Sequence, residues 1–246
     1  MHIPHPSNIT GLSRLTGATL GALAMAACAQ EAPVAEAPAS SNGAAKTTAS
    51  VEQPVMGPER RILAFGDSLF AGYGLEEGES YPARLEAALR ARGVNARIVN
   101  AGVSGDTTAA GRQRLAFTLD SQPEPPELFI LELGGNDLLR GLPTAQTREN
   151  IAAMLEELRQ RDIPVLLMGM RAPPNLGRFQ AQFDALYPEL AEEYGAQLYP
   201  FFLEDIYREP TLFQSDRVHP TAKGIERLVA ATVEQVDSAL PEPAGS

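Results

Sequence analysis

The chain has 246 residues, 44% of them hydrophobic, which is enough for one sizeable core or two small ones and is typical of a globular protein. A formal net charge of −11 with no basic cluster excludes a nucleic-acid-binding protein. One cysteine cannot form an internal disulfide, and one cysteine with three histidines argues against structural zinc sites and Cys/His proteases.

Residues 1–27 have the pattern of a secretory leader. Arg14 is their only clear charge, and the apolar stretch that follows it is too short to span a membrane permanently. The letters MAAC at its end resemble a bacterial lipobox, which predicts a lipid on Cys28 as the first mature residue. An ordinary cleavage after Ala29 also fits the small residues there, and it predicts a protein without an anchor.

Residues 28–58 are rich in Ala, Pro, Ser and Glu and carry almost no large apolar side chain. Such a segment cannot offset the entropy of ordering, so it is predicted to be a flexible tether. The folded domain is predicted at residues 59–240, followed by a flexible tail at 241–246. Outside the leader the only histidine is His219, so histidine-dependent chemistry in the mature protein has to use it.

Within the domain, short apolar runs alternate with segments of helical periodicity. The runs predict five strands, at residues 61–65, 97–99, 128–133, 164–170 and, more weakly, 197–202. The periodic segments predict amphipathic helices around residues 151–158, 179–190 and 225–236. This alternation predicts an α/β fold, a three-layer α/β/α sandwich with a parallel central sheet of about five strands.

Proline and glycine mark the ends of several predicted helices. Pro220 is placed in the first turn of the last helix, where proline is tolerated. Gly93 and Gly195 follow helical stretches and fit glycines at helix C-termini.

Polar residues and glycines follow the predicted strands. In an open parallel sheet, ligands bind beyond the carboxyl ends of the strands. The segments there are GDS at 66–68, NAGVSGDTT at 100–108, GGND at 134–137 and RAPPNLG at 171–177, and the loop before the last helix carries SDRVHP at 215–220. The sequence therefore predicts one site at this edge of the sheet.

Four blocks in this order resemble those of the SGNH hydrolases, also called GDSL esterases. They are FGDSLFAGYG around Ser68, NAGVSGDT around Gly105, LELGGNDLLRG around Asn136 and DRVHP around His219. They are most similar to the bacterial thioesterase I, lysophospholipase and arylesterase branch, over residues 60–240. The resemblance implies a flavodoxin-like fold and a serine esterase reaction that needs no cofactor and no metal.

The chemistry of the residue types supports the same interpretation. A serine hydroxyl is a poor nucleophile without a neighbouring base, and His219 is the only imidazole available. Asp216, three residues earlier, can hold the imidazole tautomer and stabilise the imidazolium. Ser68, Asp216 and His219 are therefore the predicted catalytic residues. The resemblance implies an oxyanion hole made of the Ser68 and Gly105 N–H groups and the Asn136 side-chain amide.

Each of these residues also has an ordinary structural interpretation. Ser68 suits a helix cap, Gly105 and Asn136 suit turns, and His219 suits the flank of a helix. One shared site nevertheless explains their order and the single histidine better than four unrelated roles do.

Three aspartates near the predicted site suggest a metal or phosphoryl-transfer centre as another interpretation. The first strand lacks a second acid two residues after Asp67, and the chain has no P-loop, so we reject it. Asp67 and Asp137 are instead predicted to support loop hydrogen bonds, and Asp106 or Thr107 to cap the following helix.

The predicted protein is a monomeric serine esterase that hydrolyses carboxylic esters or thioesters through an acyl-enzyme at Ser68. Its partners are small-molecule or lipid ester substrates. An envelope polysaccharide O-acetyl esterase and a catalytically silent envelope-binding lipoprotein are the alternatives. The predicted substrate groove consists of Leu69, Phe70, Tyr73, Leu138, Leu139, Leu142 and Pro143.

The leader predicts a location in the periplasm or cell envelope. Ala29 follows Cys28 where an aspartate would be the inner-membrane signal, so lipid attachment to the outer membrane is predicted. A soluble periplasmic or secreted protein is the alternative.

Overall fold

A five-stranded parallel sheet is the central layer of the computed structural model, which describes residues 55–242. Its strands are β1 (Arg60–Gly66), β2 (Ala96–Gly102), β3 (Leu128–Glu132), β4 (Val165–Met168) and β5 (Gln197–Tyr199). They lie in the order β2-β1-β3-β4-β5, which is the flavodoxin-type order with its switch point between β1 and β3. The predicted leader, most of the predicted tether and the last four residues of the tail lie outside the described residues.

Helices cover both faces of the sheet. They are α1 (Ser68–Ala71), α2 (Tyr81–Ala91), α3 (Thr108–Asp120), α4 (Gly135–Leu139), α5 (Thr144–Gln160), α6 (Arg178–Tyr194) and α7 (Ala222–Ala239). On one face α2 packs against α7, and on the other α5 packs between α3 and α6. Right-handed crossovers between parallel strands produce this division, because β2 and β3 lie on opposite sides of β1. The predicted three-layer α/β/α sandwich is confirmed.

The core lies on both faces of the three central strands. The stretches Ile62–Phe65 and Leu128–Leu131 and the whole of β4 are buried, as expected of parallel strands covered by helices. The edge strands β2 and β5 are partly exposed. One charged residue, Glu132, ends the buried β3 strand and is itself fully buried.

The predicted amphipathic helices are confirmed as α5, α6 and α7, whose apolar faces are buried. Gly195 ends α6 in the left-handed conformation, with φ of 66°. Gly93, with φ of 90°, follows the cap residue of α2. Both conformations favour glycine, which explains why helices end there.

Several boundaries differ from the sequence prediction. The second strand was predicted at 97–99 but runs from Ala96 to Gly102, because its end is polar and partly exposed and so lacks an apolar run. Strands β3, β4 and β5 end one to three residues before the predicted apolar runs do, at Glu132, Met168 and Tyr199. Pro220 lies before Thr221, whose side chain caps α7, and is therefore outside the helix rather than in its first turn.

Among residues 55–242, no helix combines the length and the hydropathy needed to cross a lipid bilayer.

Candidate active site

Ser68, His219 and Asp216 form a continuous hydrogen-bonded chain. Ser68 is the first residue of α1, directly beyond the carboxyl end of β1. Its Oγ lies 2.8 Å from Nε2 of His219, and Nδ1 of His219 lies 2.7 Å from Oδ2 of Asp216. The structure thus brings the three predicted catalytic residues into the geometry of a nucleophile, a base and an orienting carboxylate.

Backbone N–H groups of the loop that carries Asp216 and His219 hold the Asp216 side chain. Oδ1 of Asp216 accepts hydrogen bonds from the N–H groups of Val218, at 2.9 Å, and His219, at 3.0 Å. The His219 side chain and these two N–H groups lower the pKa of Asp216 to about 2. The carboxylate therefore stays ionised at neutral pH, as an orienting group requires. Arg217 takes a left-handed φ of 62° at the tip of this turn.

Two residues outside the predicted catalytic set, Tyr73 and Gln214, hold the imidazole in place. The Tyr73 ring lies against the His219 ring, with centroids 4.4 Å apart and planes tilted by 35°. The Gln214 side chain donates to the carbonyl of Tyr73 at 2.7 Å and to that of Pro220 at 3.0 Å, and its backbone N–H donates to the carbonyl of His219. No sequence pattern pointed to Gln214, whose role depends on contacts with the loop after α1.

The N-cap of α1 is Asp67, not Ser68. Oδ1 of Asp67 accepts from the Leu69 N–H at 3.0 Å. The capping alternative for Ser68 is therefore wrong, and the Ser68 hydroxyl faces His219 instead. Because α1 is a single turn, its N–H groups matter more to an anion at Ser68 than a helix macrodipole does.

Two of the three predicted oxyanion donors have unused N–H groups. Neither the Ser68 nor the Gly105 N–H donates to any residue between 55 and 242. Gly105 has a left-handed φ of 86°, which favours glycine, and its carbonyl accepts from Arg140 at 2.7 Å. The two N–H groups are thus free to bind an anionic oxygen.

The Asn136 amide is already engaged. Its Nδ2 donates to Oδ2 of Asp67 and to the carbonyl of Asp106, both at 2.9 Å. Both partners can only accept, which assigns Nδ2 to this side of the amide. Binding of an oxyanion by Asn136 therefore requires one of these hydrogen bonds to be exchanged.

Hydrogen bonds from two other aspartates fix the surrounding loops. Asp137 accepts from the Thr108 N–H at 2.8 Å and from the Thr108 hydroxyl. Asp106 pairs with Arg114 at 2.6 Å, while the cap of α3 is Thr107. The predicted loop-supporting roles of Asp67 and Asp137 are confirmed, and of the two predicted caps Thr107 is the correct one. No group of three His, Cys, Asp or Glu suited to a metal occurs in the described part of the chain.

Glu132 is a buried acid behind the site that the sequence analysis did not single out. Its side chain is fully buried, and burial raises the pKa of its carboxyl well above the usual range. Its charge within the run LFILEL was the available signal, because a charged residue in a central strand needs a buried partner.

A mostly apolar cleft of about 380 Å³ opens beside Ser68 and His219. Its walls are Leu69, Leu138, Leu139, Met170, Arg171, Pro173, Phe201, Leu203, Tyr207, Pro210, Phe213, Arg217 and Val218, with Asp67, Gly135 and Asn136 at its floor. The sequence analysis placed the segments at 171–177 and 215–220 near the site. It did not single out the wall residues between them, Phe201, Leu203, Tyr207, Pro210 and Phe213, since no motif marks that stretch.

Four predicted groove residues do not line this cleft. Phe70 is fully buried in the core, stacked on Tyr81. Tyr73 covers His219 rather than the cleft, and Leu142 and Pro143 lie in the turn after α4. Of the predicted groove residues, Leu69, Leu138 and Leu139 therefore line the cleft and these four do not.

Comparison with known proteins identifies relatives over most of the folded region. The profile of the GDSL-like lipase/acylhydrolase family matches residues 64–227. Esterase TesA of Pseudomonas aeruginosa is 39% identical over 169 residues, which are 68% of this chain and 83% of that protein. The thioesterase 1/protease 1/lysophospholipase L1 of Escherichia coli K12 is 38% identical over 160 residues, 65% of this chain and 74% of that protein.

A solved structure with higher identity is that of AlinE4, an SGNH-hydrolase family esterase. It is 67% identical to this chain, with a TM-score of 0.64, and the match covers 76% of this chain and 99% of AlinE4.

Proposed function

The chain belongs to the GDSL-like lipase/acylhydrolase family, the SGNH hydrolases, and from this membership and its site geometry we propose how it hydrolyses esters and which esters it takes. It is a serine hydrolase of ester bonds. Ser68 is the nucleophile, His219 the general base and acid, and Asp216 the group that orients His219. The observation that carries this assignment is the chain of contacts of 2.8 Å and 2.7 Å that joins the three side chains.

The first half of the reaction forms an acyl-enzyme. Oγ of Ser68 attacks the carbonyl carbon of the ester while its proton passes to Nε2 of His219. Asp216 accepts the Nδ1–H of the resulting imidazolium and stabilises its charge. When the tetrahedral intermediate collapses, the leaving alcohol or thiol takes the proton from Nε2, and the acyl group stays on Ser68.

The second half repeats these steps with water. Water attacks the acyl carbonyl while His219 takes one of its protons, and collapse of this intermediate returns the proton to Oγ of Ser68. In both intermediates the negative oxygen is bound by the free N–H groups of Ser68 and Gly105. One Asn136 N–H exchanges from its protein acceptor to the oxyanion. Each such donor is expected to contribute about 10²- to 10³-fold to the rate.

The substrates are acyl esters or thioesters derived from lipids. Most of the cleft wall consists of aliphatic and aromatic side chains, which suit an acyl chain better than a sugar. The relative from Escherichia coli is named as a thioesterase and lysophospholipase, which supports the same substrate class.

The enzyme acts as a monomer in the cell envelope, attached by a lipid on Cys28 through the tether of residues 28–58. The leader and the MAAC letters at its end support this location. Mass spectrometry of the mature N-terminus separates a lipidated Cys28 from a cut after Ala29.

The substrate proposal is tested with p-nitrophenyl esters from acetyl to palmitoyl, using the chain without residues 1–27. Turnover is expected to peak at medium or long acyl chains. In Leu203→Trp the larger side chain fills the cleft, so the peak is expected to move to shorter chains. Leu142→Trp adds the same ring outside the cleft, and its profile is expected to match that of the wild type.

Two results would contradict the proposal. Acetyl esters turned over much faster than octanoyl esters would favour the O-acetyl esterase alternative. An unchanged profile in Leu203→Trp would show that the acyl chain does not occupy this cleft.

A further inference from the structure

Glu132 contacts the two residues that precede Ser68, Gly66 and Asp67. It ends β3 in register with Gly66, the last residue of β1. A Cβ atom at Gly66 would lie 2.8 Å from Oε2 of Glu132, so only glycine leaves room for the carboxyl there. Oε2 accepts a hydrogen bond from the Asp67 N–H at 3.3 Å. The buried carboxyl therefore touches the residue immediately before Ser68.

The Glu132 carboxyl lies beside that of Asp67, because its Oε2 accepts from the Asp67 N–H, and the pair is placed so that a hydrogen bond can join the two carboxyls when one is protonated. Two adjacent buried carboxyls cannot both be ionised, so one of them keeps its proton. Burial raises the pKa of Asp67, although hydrogen bonds with Leu69, Glu132 and Asn136 oppose the rise. Burial and the Asp67 charge raise the pKa of Glu132 well above its usual range, against a smaller lowering by the Asp67 N–H. Glu132 is thus the neutral partner, and its O–H donates to the Asp67 carboxylate.

Asp67 connects Glu132 to the residues of the site. Its Oδ1 caps α1 at Leu69, and its Oδ2 accepts one N–H of the Asn136 amide. That contact fixes the amide plane, and the other N–H, now on the Asp106 carbonyl, is the one available to an oxyanion. A series of contacts through Glu132, Asp67 and Asn136 therefore connects the end of β3 to the proposed oxyanion hole.

A purely structural role leaves one feature of Glu132 unexplained. Its Oε1 is buried and has no hydrogen-bond partner among the described residues. An unpaired buried polar atom destabilises a fold, and an apolar residue of the same length would avoid the cost. Local rules of this kind are broken mainly at functional sites.

We propose that Glu132 is a positioning residue, a buried hydrogen-bond donor that holds Asp67 so that Asn136 and the Ser68 N–H are aimed at the oxyanion. This inference rests on the proposed function of Ser68 and Asn136, and it adds a residue to that machinery. Glu132 itself does not touch the substrate.

The test compares two substitutions of Glu132 that have similar side-chain lengths, only one of which keeps a hydrogen-bond donor. Glu132→Gln keeps a neutral donor toward Asp67, so its kcat is expected to fall by less than about tenfold. Glu132→Met has a similar length and no donor, so its kcat is expected to fall by about 10²-fold with KM within about twofold of the wild type, as for a lost oxyanion donor. Thr232→Val, which removes the buried hydrogen-bond partner of Tyr81 and does not line the cleft, is the control and is expected to keep the wild-type kcat.

The proton on Glu132 is tested separately, by the pH dependence of stability against urea. A carboxyl whose pKa is raised by folding stabilises the fold at low pH, and this stabilisation is lost as pH rises above its ordinary value of 4.5. The acidic groups nearest to Glu132 are Asp67 and, from α6, Tyr187, and both remain in Glu132→Gln. As pH rises above about 5 the wild type is therefore expected to lose urea stability relative to Glu132→Gln.

Three outcomes overturn the proposal: equal losses of kcat in the Gln and Met variants, an unchanged kcat in Glu132→Met, and parallel stability profiles. If Glu132→Met does not fold, Asp67→Asn carries the kinetic test. It keeps Glu132 but leaves a single acceptor oxygen for the Leu69 N–H and the Asn136 amide, so one of these two hydrogen bonds is lost. A kcat equal to that of the wild type would also overturn the proposal. Ser68→Ala tests the proposed function separately, because only that variant removes the nucleophile.

Discussion

The Asp216 carboxylate orients His219 although its side chain is 39% exposed. Hydrogen bonds from the His219 ring and from two backbone N–H groups hold it, and they lower its pKa to about 2. A carboxyl with a lowered pKa contributes its stabilising contacts above its ordinary pKa of 3.8, and loses them only as pH falls through about 2. A loss of activity between neutral pH and about pH 4 therefore does not come from titration of Asp216.

Asp216→Asn tests this role. The amide still accepts from the loop N–H groups, but it favours the wrong His219 tautomer. We expect kcat to fall by about 10²- to 10⁴-fold at about pH 8. Initial rates with a p-nitrophenyl ester at that pH measure it. A loss below tenfold would mean that His219 is oriented without the carboxylate.

At the scale of single residues, the scarcity of histidine made the hydrogen-bonded set of Ser68, His219 and Asp216 predictable. A chain with one histidine outside its leader leaves little choice of base, and Asp216 lies three residues before it. The contacts of Glu132 and Gln214 could not be predicted in this way. Glu132 meets Asp67 across 65 positions of sequence, and the direction of the Asn136 amide depends on where two acceptors lie in space.

At the scale of elements, the nucleophile is placed by a close contact between α1 and the edge strand β2. A Cβ atom at Gly102 would lie 2.4 Å from the Ala71 nitrogen, so the helix sits directly on the glycine. Asn100 of the same strand donates to the Phe70 carbonyl at 2.9 Å. The one-turn helix that carries Ser68 is thus fixed by β2 as well as by its cap.

Gly102→Ala is expected to force β2 and α1 apart. We expect it to lower the free energy of unfolding by about 1–3 kcal/mol, as overpacking does. The kcat is expected to fall with it, because α1 carries Ser68. Urea unfolding and ester hydrolysis measure the two effects.

The control for Gly102→Ala is Val99→Ala, a partly exposed position on the same strand. It is expected to change stability by no more than about 0.5 kcal/mol. A Gly102→Ala protein as stable and as active as the wild type would show that α1 does not depend on this contact.

Long amphipathic helices and buried strands were predictable because burial leaves a periodic pattern, as in α5 and β3. The end of β2 was not, because Asn100, Ala101 and Gly102 pair with β1 through their backbone while their side chains form no apolar run. Elements held by backbone contacts at an edge leave little trace in hydropathy.

At the scale of the whole molecule, the parallel sheet assembles the site from distant parts of the chain. Ser68 follows β1, Gly105 follows β2, Asn136 follows β3, and the loop with Asp216 and His219 comes after β5. Since all five strands are parallel, these segments meet at one edge, as the sequence predicted. The order of the strands depends on pairing between distant segments and was not derivable from local patterns.

The most direct test of the central claim compares the chain without residues 1–27 with its Ser68→Ala variant, in p-nitrophenyl ester hydrolysis and in labelling by a fluorophosphonate. We expect the wild type to hydrolyse the esters and to be labelled on Ser68. The variant is expected to fold normally, to lose at least about 10⁴-fold in kcat and to remain unlabelled. A folded Ser68→Ala protein that retained hydrolysis or labelling would contradict the assignment of Ser68 as the nucleophile.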